Sequence, residues 1–240
     1  MPLSPDETRR YARHLVLRGV GGEGQQKLKA ARVLVVGAGG LGSPVIAYLA
    51  AAGVGTLGVV DHDQVSLSNL QRQIVHTTGA AATPKAESAG AFVAGLNPYV
   101  QYVPHNERVT RDNAARLVTA YDIIIDGTDN FATRLAVAEA AEAAGKSLVS
   151  GAVSMFDGQV TVFVPTGPQF RDLYPIEPDE ADLPACEVVG VLGAVTGVIG
   201  TLMAMEAIKL ITGLGEPLIG RLLLYDGRAA RFTELSLGGA

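Results

Sequence analysis

Two polar segments, each placed directly after an apolar run, carry the residue types that could do chemistry in this sequence. The first follows residues 33–36 and contains Gly37, Gly39, Gly40 and Gly42. Glycines let the backbone approach phosphate oxygens, and a helix that begins directly after them presents free N–H groups to an anion. The second begins at Asp61, 19 residues after Gly42, where an acidic side chain in dinucleotide-binding folds hydrogen-bonds ribose hydroxyls. Together the segments predict a nucleotide site.

Amides and cations downstream of Asp61 favour a triphosphate over a dinucleotide. They are Asn69, Arg72, Gln73 and Lys85. The two cations could offset phosphate charge, which needs positive side chains or a metal. A dehydrogenase would share the glycine turn and Asp61, but no tyrosine in the chain is followed by lysine four residues later. The catalytic pair of short-chain dehydrogenases is therefore missing, and the residues favour ATP over NAD.

The fourth predicted strand covers residues 122–126, and an acidic box begins at its last residue. It contains Asp126, Asp129 and Asn130. Ligands of open α/β sheets bind beyond the carboxyl ends of the strands, so this box should share a crevice with the glycine turn. A carboxylate beside phosphates is a natural Mg²⁺ ligand, and Asp129 is the candidate. Two alternatives stay open: Asp129 could instead cap the helix that begins at Phe131, and Asp126 could be structural.

The elements that must position these residues alternate between apolar strands and helices. This pattern predicts an α/β fold with a doubly wound, Rossmann-like, mostly parallel sheet. We expect a single domain over residues 1–240. It comprises a helical N-terminal arm (1–30), a nucleotide-binding core (31–165) and an extension (166–240) with a crossover loop, a long helix and a β-hairpin.

Composition narrows the class of protein. The chain has 240 residues, is 48% hydrophobic and carries a formal net charge of −5 without a basic cluster, so nucleic acid is not an expected partner. A single cysteine excludes an intramolecular disulfide and suits the reducing cytoplasm. We expect no signal peptide and no integral membrane segment. The uncharged stretch 188–205 is barely long enough to span a bilayer, and it carries a small-residue helix face instead.

Several short motifs, taken together, resemble the MoeB/ThiF family of ubiquitin-activating-type adenylyltransferases. The specific ones are the boxes at 68–73 and 126–131, and the resemblance extends to residues 10–13, 22–28, 84–86 and 200–210. The resemblance implies that ATP adenylates the C-terminal glycine of a small ubiquitin-like sulfur carrier ending in Gly-Gly, with release of pyrophosphate. It also implies a homodimer, with the glycine-faced helix as a candidate interface.

The resemblance assigns roles to single residues. Asp61 would hold the ribose, Asp129 would bind Mg²⁺, and Arg13 would reach into the site of the partner subunit. The residues around the phosphates would be Asn69, Arg72, Gln73 and Lys85. Cys186 matches a cysteine that takes part covalently in sulfur transfer in some relatives, although an unreactive loop thiol is the alternative.

One departure from the family concerns zinc. Many members hold a structural zinc through two pairs of cysteines, but Gln169 and Asp172 stand at the first pair and the second pair is absent, so zinc is not expected. We expect a separate sulfur donor, either a cysteine desulfurase or a rhodanese. The pathway, molybdopterin or thiamine synthesis, stays open. The alternative functions are an NAD(H)-binding oxidoreductase and a non-catalytic nucleotide-binding scaffold.

Overall fold

One mixed sheet forms the centre of the protein. The computed structural model describes residues 2–177 and 190–237. Its strands are β1 (Arg32–Val36), β2 (Thr56–Val60), β3 (Gln101–His105), β4 (Ile123–Asp126), β5 (Ser147–Ser154), β6 (Asp157–Phe163), β7 (Arg221–Asp226) and β8 (Arg231–Ser236). They are ordered β3-β2-β1-β4-β5-β6-β7-β8, parallel from β3 to β5 and antiparallel from β5 to β8.

Helices cover both faces of this sheet. They are α1 (Pro5–Arg10), α2 (Ala12–Leu15), α3 (Gly21–Ala30), α4 (Gly42–Ala52), α5 (Lys85–Leu96), α6 (Arg111–Thr119), α7 (Phe131–Ala143), α8 (Phe170–Leu173) and α9 (Gly193–Thr212). One apolar core lies between the sheet and α4, α5 and α9, and a second lies under α6 and α7. The predicted doubly wound α/β fold with a C-terminal helix and hairpin is confirmed. Residues 33–36 of β1, 57–60 of β2 and 123–125 of β4 carry no polar side chain, because both faces of these strands are covered.

Glycines end the two helices that pack beside the site. Gly53 follows α4 with φ of 82°, and Gly213 follows α9 with φ of 78°. A residue in this left-handed conformation ends a helix, and glycine adopts it without a side-chain clash.

The small-residue face of α9 packs inside the chain. A Cβ at Gly200 would lie 2.5 Å from the Leu41 carbonyl oxygen and would overlap Pro44, and Ala204 and Ala207 are buried. These three residues are therefore packed within the chain, and the proposed role of the helix in a subunit interface stays a prediction. In length and composition α9 could cross a membrane, but it packs against α3, α4 and strands β5 and β6, as a core helix does.

The N-terminal arm is fixed to the far end of α4. Tyr11 is 3% exposed, and its hydroxyl accepts a hydrogen bond of 2.8 Å from Asn97 Nδ2. The same amide donates to the Ala50 carbonyl at 2.7 Å, and Gln25 donates to the Ala52 carbonyl at 2.8 Å. The tyrosine ring occupies the space that a side chain at Gly53 would need. The arm and the C-terminal end of α4 therefore pack as one unit.

Candidate nucleotide-binding site

A cavity of about 800 Å³ opens at the carboxyl ends of β1, β2 and β4. This is where ligands bind in doubly wound folds. Nine of the residues selected from the sequence line it, and they are Gly37, Gly39, Gly40, Asp61, Arg72, Gln73, Lys85, Asp129 and Asn130. The polar segments that lie apart in sequence thus meet in one space.

The glycine turn depends on glycine at specific positions. Gly37 has φ of 93°, and a Cβ at Gly42 would overlap the Gly37 carbonyl oxygen. A Cβ at Gly40 would come within 3.0 Å of Thr196 in α9. Glycine at 37 and 42 allows the turn to close, and glycine at 40 allows α9 to approach the turn. Gly42 itself does not line the cavity, so its role in the described structure is to form the turn.

Asp61 supports the glycine turn from the end of β2. Its Oδ2 accepts a hydrogen bond from the Ala38 N–H at 2.8 Å, and its Oδ1 accepts one from the Asp63 N–H at 2.8 Å. Each carboxylate oxygen can accept a further bond, so the side chain can still receive hydroxyl groups. This geometry fits the ribose-binding role predicted for Asp61.

Lys85 is a buried cation, and its ammonium has one side-chain partner among residues 2–177 and 190–237. It is 5% exposed, and its Nζ lies 2.9 Å from Asp63 Oδ2. Partial burial raises the pKa of Asp63, but the hydrogen bond and charge of Lys85 outweigh it, so the pKa lies below its usual value. Asp63 was not selected from the sequence. Its position two residues after Asp61 was the available signal, since both follow the end of the same strand.

Arg72 and Gln73 have unused hydrogen-bonding capacity. The Arg72 guanidinium makes no hydrogen bond or ion pair within residues 2–177 and 190–237 and lines the cavity. Gln73 is 4% exposed, and its Oε1 has no partner among the described atoms. Buried polar atoms in folded proteins are normally hydrogen-bonded. The free Arg72 cation therefore favours an anionic ligand, and Gln73 Oε1, which can only accept, favours a ligand that also carries a hydrogen-bond donor.

Asp126, the first residue of the acidic box, is held by hydrogen bonds inside the protein. Asp126 is fully buried and accepts hydrogen bonds from Thr128 at 2.6 Å and Ser150 at 3.1 Å, with Arg134 Nε at 3.4 Å. The structural alternative for Asp126 is thus confirmed.

Asn130, rather than Asp129, caps α7. Its Oδ1 accepts a hydrogen bond of 2.8 Å from the Thr133 N–H. The alternative in which Asp129 is the cap is therefore wrong, and Asp129 stays exposed on the cavity wall. A single carboxylate suits Mg²⁺ beside a triphosphate, because the ion takes one or two protein carboxylates and completes its shell with phosphate oxygens and water.

Besides Gly42, the selected residues Asn69 and Arg13 do not line the cavity. Asn69 is half-buried, and its carbonyl accepts hydrogen bonds from the backbone N–H groups of Arg72 and Gln73. Arg13 is exposed on α2, in the arm, and no described residue pairs with it. Cys186 lies outside the described residues. The roles predicted for all three stay predictions.

Two groups of side chains could be considered as metal ligands, and they differ in whether they fit a metal ion. Asp61, His62 and Asp63 form a group whose ligand atoms lie within 4.8 Å of one another; in the described part of the chain Asp129 is not a member. Gln169 and Asp172, which the resemblance places at a zinc-binding cysteine pair, form a capping box for α8, with the Gln169 N–H donating to Asp172 at 2.7 Å. An amide and a carboxylate used in this way do not fit a thiolate zinc site.

The sequence of the chain matches a known protein family over nearly its whole length. The model of the ThiF family matches residues 11–239. The chain belongs to the ThiF family. The "Probable adenylyltransferase/sulfurtransferase MoeZ" of Mycobacterium tuberculosis is 47% identical over 98% of this chain, which spans 61% of that relative's length. The "Sulfur carrier protein adenylyltransferase" of Thermus thermophilus is 47% identical over 99% of this chain and 90% of its own length.

Solved structures agree on the fold. The crystal structure of Escherichia coli MccB with MccA-N7isoASN superposes with a TM-score of 0.86, covering 99% of this chain and 73% of that chain. The sequences are 20% identical, so this likeness bears on the fold alone. The resemblance stated from the boxes at 68–73 and 126–131 is confirmed at the level of the family.

Proposed function

We propose that the chain is an ATP-dependent adenylyltransferase that acts on the C-terminal glycine of a small ubiquitin-like sulfur carrier ending in Gly-Gly. The observation that carries the proposal is the cavity in which the glycine turn faces Arg72, Lys85 and the unsatisfied Gln73. Membership of the ThiF family and a relative named for adenylylation of a sulfur carrier support it.

The reaction is a displacement at the α-phosphorus. A carboxylate oxygen of the carrier's terminal glycine attacks, an O–P bond forms, and the bond to the oxygen bridging the β-phosphorus breaks. Pyrophosphate leaves with that electron pair. The attacking carboxylate is already ionised, so the site needs no general base and needs positioning and charge neutralisation instead.

The side chains divide these tasks. Asp61 orients the ribose, and the N–H groups at the start of α4 face phosphate oxygens. Arg72 and Lys85 neutralise charge that moves onto the leaving pyrophosphate, and Asp63 fixes the ammonium of Lys85. Asp129 would hold Mg²⁺, which supplies further neutralisation of the phosphates when bound.

Further parts of the proposal concern the partners of the chain, its location and its metal content. They are a homodimer in which Arg13 serves the partner's site, a separate cysteine desulfurase or rhodanese as sulfur donor, a cytoplasmic location, and no zinc. The carrier would serve molybdopterin or thiamine synthesis.

Isotope exchange between ATP and pyrophosphate tests the activity. Exchange should require Mg²⁺ and a carrier with an intact Gly-Gly terminus. Lys85→Met and Asp129→Asn should each lower the rate by about 10²–10³, as removal of one stabiliser of developing charge does. The matched controls are Lys146→Met and Asp112→Asn, which lie outside the cavity. Tight NADH binding without ATP binding would favour an oxidoreductase, and ATP binding without exchange with any carrier would favour a scaffold.

A further inference from the structure

Ala38, inside the glycine turn, has both of its backbone polar groups held by side chains from elsewhere in the chain. Its N–H donates to Asp61 at 2.8 Å, and its carbonyl accepts from His76 Nε2 at 2.9 Å. Ala38 is completely buried and His76 is 6% exposed. Water therefore cannot replace either bond without opening the turn.

The contacts of His76 define its tautomer. A carbonyl oxygen only accepts, so Nε2 carries the proton that it shares with Ala38. The other ring nitrogen, Nδ1, lies 2.9 Å from the Ser88 hydroxyl, which donates to it when the ring is neutral. Burial is the largest effect on the pKa of His76 and lowers it. The hydrogen bond to the Ala38 carbonyl opposes this, and the charges of Lys85 and Asp61 have smaller effects of opposite sign, so the pKa lies below its usual value. The ring is thus neutral at pH 7.

These bonds close into a ring of contacts. From Ala38 the ring runs through Asp61 to the Asp63 N–H, and then from the Asp63 carboxylate to Lys85. Lys85 and Ser88 both lie in α5, three residues apart, and so share one face of that helix. Ser88 leads back through His76 to Ala38. The ring ties the glycine turn, the end of β2 and the start of α5 to one another.

The bond to His76 also orients the next peptide N–H. The Ala38 carbonyl and the Gly39 N–H belong to one peptide unit, and in a trans peptide they point in opposite directions. With the carbonyl held by His76, the Gly39 N–H is directed away from the imidazole. Gly39 lines the cavity. A flipped peptide would lose the bond to His76 and turn a carbonyl, which repels phosphate, toward the ligand.

We propose that His76 is a positioning residue that fixes the 38–39 peptide, so that the turn offers an N–H group to the nucleotide phosphates and stays aligned with Lys85. The identity of the nucleotide as ATP rests on the proposed function, whereas the effect on the turn does not. Nothing in this role requires His76 to touch the substrate.

Two substitutions separate the two ring nitrogens. In His76→Gln the amide nitrogen can occupy the place of Nε2 and still donate to Ala38. In His76→Asn the shorter amide reaches only the place of Nδ1, so the Ala38 carbonyl loses its donor. Calorimetric titration should show that His76→Asn binds ATP about 10- to 100-fold more weakly. This is the size of effect expected when a buried carbonyl, here that of Ala38, loses its hydrogen-bond donor. His76→Gln should stay close to the unaltered chain.

Hydrogen–deuterium exchange of the ligand-free chain gives a readout that needs no ATP. Exchange of residues 37–42 should accelerate by about 10-fold or more in His76→Asn and not in His76→Gln. His105→Asn is the control, because His105 is a partly buried histidine that contacts Tyr121 rather than the turn. If His76→Asn does not fold, Ser88→Ala removes the anchor of the imidazole and should accelerate the same segment.

The outcomes are distinct. Failure of the unaltered chain to bind ATP would overturn the proposed function, and exchange at 37–42 would still decide the role of His76. Equal exchange and equal ATP affinity in His76→Asn and His76→Gln would overturn the positioning role. Acceleration throughout the chain in His76→Asn, matched by His105→Asn, would also overturn it by indicating a general loss of stability.

Discussion

A neutral, buried imidazole makes the folded chain sensitive to acid. Burial places the pKa of His76 below its ordinary value, so the unfolded chain binds a proton at a pH where the folded chain does not. The stabilisation from a depressed pKa is complete above the ordinary value of about 6.5 and is lost as the pH falls from there through the folded-state pKa.

The first prediction compares the pH dependence of two melting curves. Between pH 7.5 and 5, the unaltered chain should lose stability more steeply than His76→Gln, which keeps the donor but does not titrate. The difference in slope should be at most about 1.4 kcal/mol per pH unit, the limit for one proton. Denaturant unfolding at a series of pH values measures it. Parallel curves would mean that His76 titrates alike in the folded and unfolded chain.

Residue type and position after a strand were enough to predict nine of the residues that line the cavity. Asp61, Arg72 and Lys85 were identified in this way, because each follows a strand or begins a helix at the same edge of the sheet. His76 was missed because its partner Ala38 lies 38 residues away, and no local pattern encodes that contact. From the sequence, either of two adjacent polar residues, Asp129 or Asn130, could have capped α7. The structure decides for Asn130, because its side chain accepts a hydrogen bond from the Thr133 N–H.

At the scale of elements, two glycines in α9 have opposite surroundings. A Cβ at Gly200 would overlap Pro44 in α4, whereas a Cβ at Gly197 would meet nothing within 4 Å. Both lie in the interior of the helix, where alanine is favoured over glycine by about 1 kcal/mol. The two positions therefore separate intrinsic helix propensity from packing between helices.

The second prediction uses this pair. Gly200→Ala should lower the free energy of unfolding by about 1–3 kcal/mol, because α9 must move away from α4. Gly197→Ala should raise it by up to about 1 kcal/mol. Urea denaturation of each variant checks both signs. A stabilised Gly200→Ala would contradict the close packing of α9 on α4.

Apolar runs predicted the strands of the sheet, because this signal is local. The sequence did not predict that Gly200, Ala204 and Ala207 of the small-residue face pack inside the chain. Such a face permits close approach to any helix, and the sequence does not say whether that helix belongs to the same chain. The structure gives α4 as the partner.

At the scale of the whole molecule, the arm places Arg13 away from its own cavity. Tyr11 and Gln25 dock on the C-terminal end of α4, while the glycine turn lies at the other end. A helix of 11 residues is roughly 16 Å long at 1.5 Å per residue. This separation supports the proposal that Arg13 acts on a partner's site, where its guanidinium could bind phosphate oxygens in two places.

The third prediction is complementation between two inactive variants. Arg13→Ala alone and Asp129→Ala alone should be nearly inactive. When they are co-expressed, a mixed dimer has one site with both defects and one site with neither. Random pairing makes about half of the dimers mixed, so roughly a quarter of all sites should work. Exchange measured on dimers purified by two different tags tests this. An inactive mixed dimer would mean that Arg13 acts within its own subunit or has no catalytic role.

The docking of the arm has a consequence for the rate law. Asn97 holds Tyr11 while also bonding Ala50, so the arm cannot swing toward its own cavity without breaking a buried amide network. If each working site needs an arginine from a second chain, an isolated chain is folded but inactive. Below the dimer dissociation constant the rate then grows with the square of protein concentration, and dilution alone switches the enzyme off.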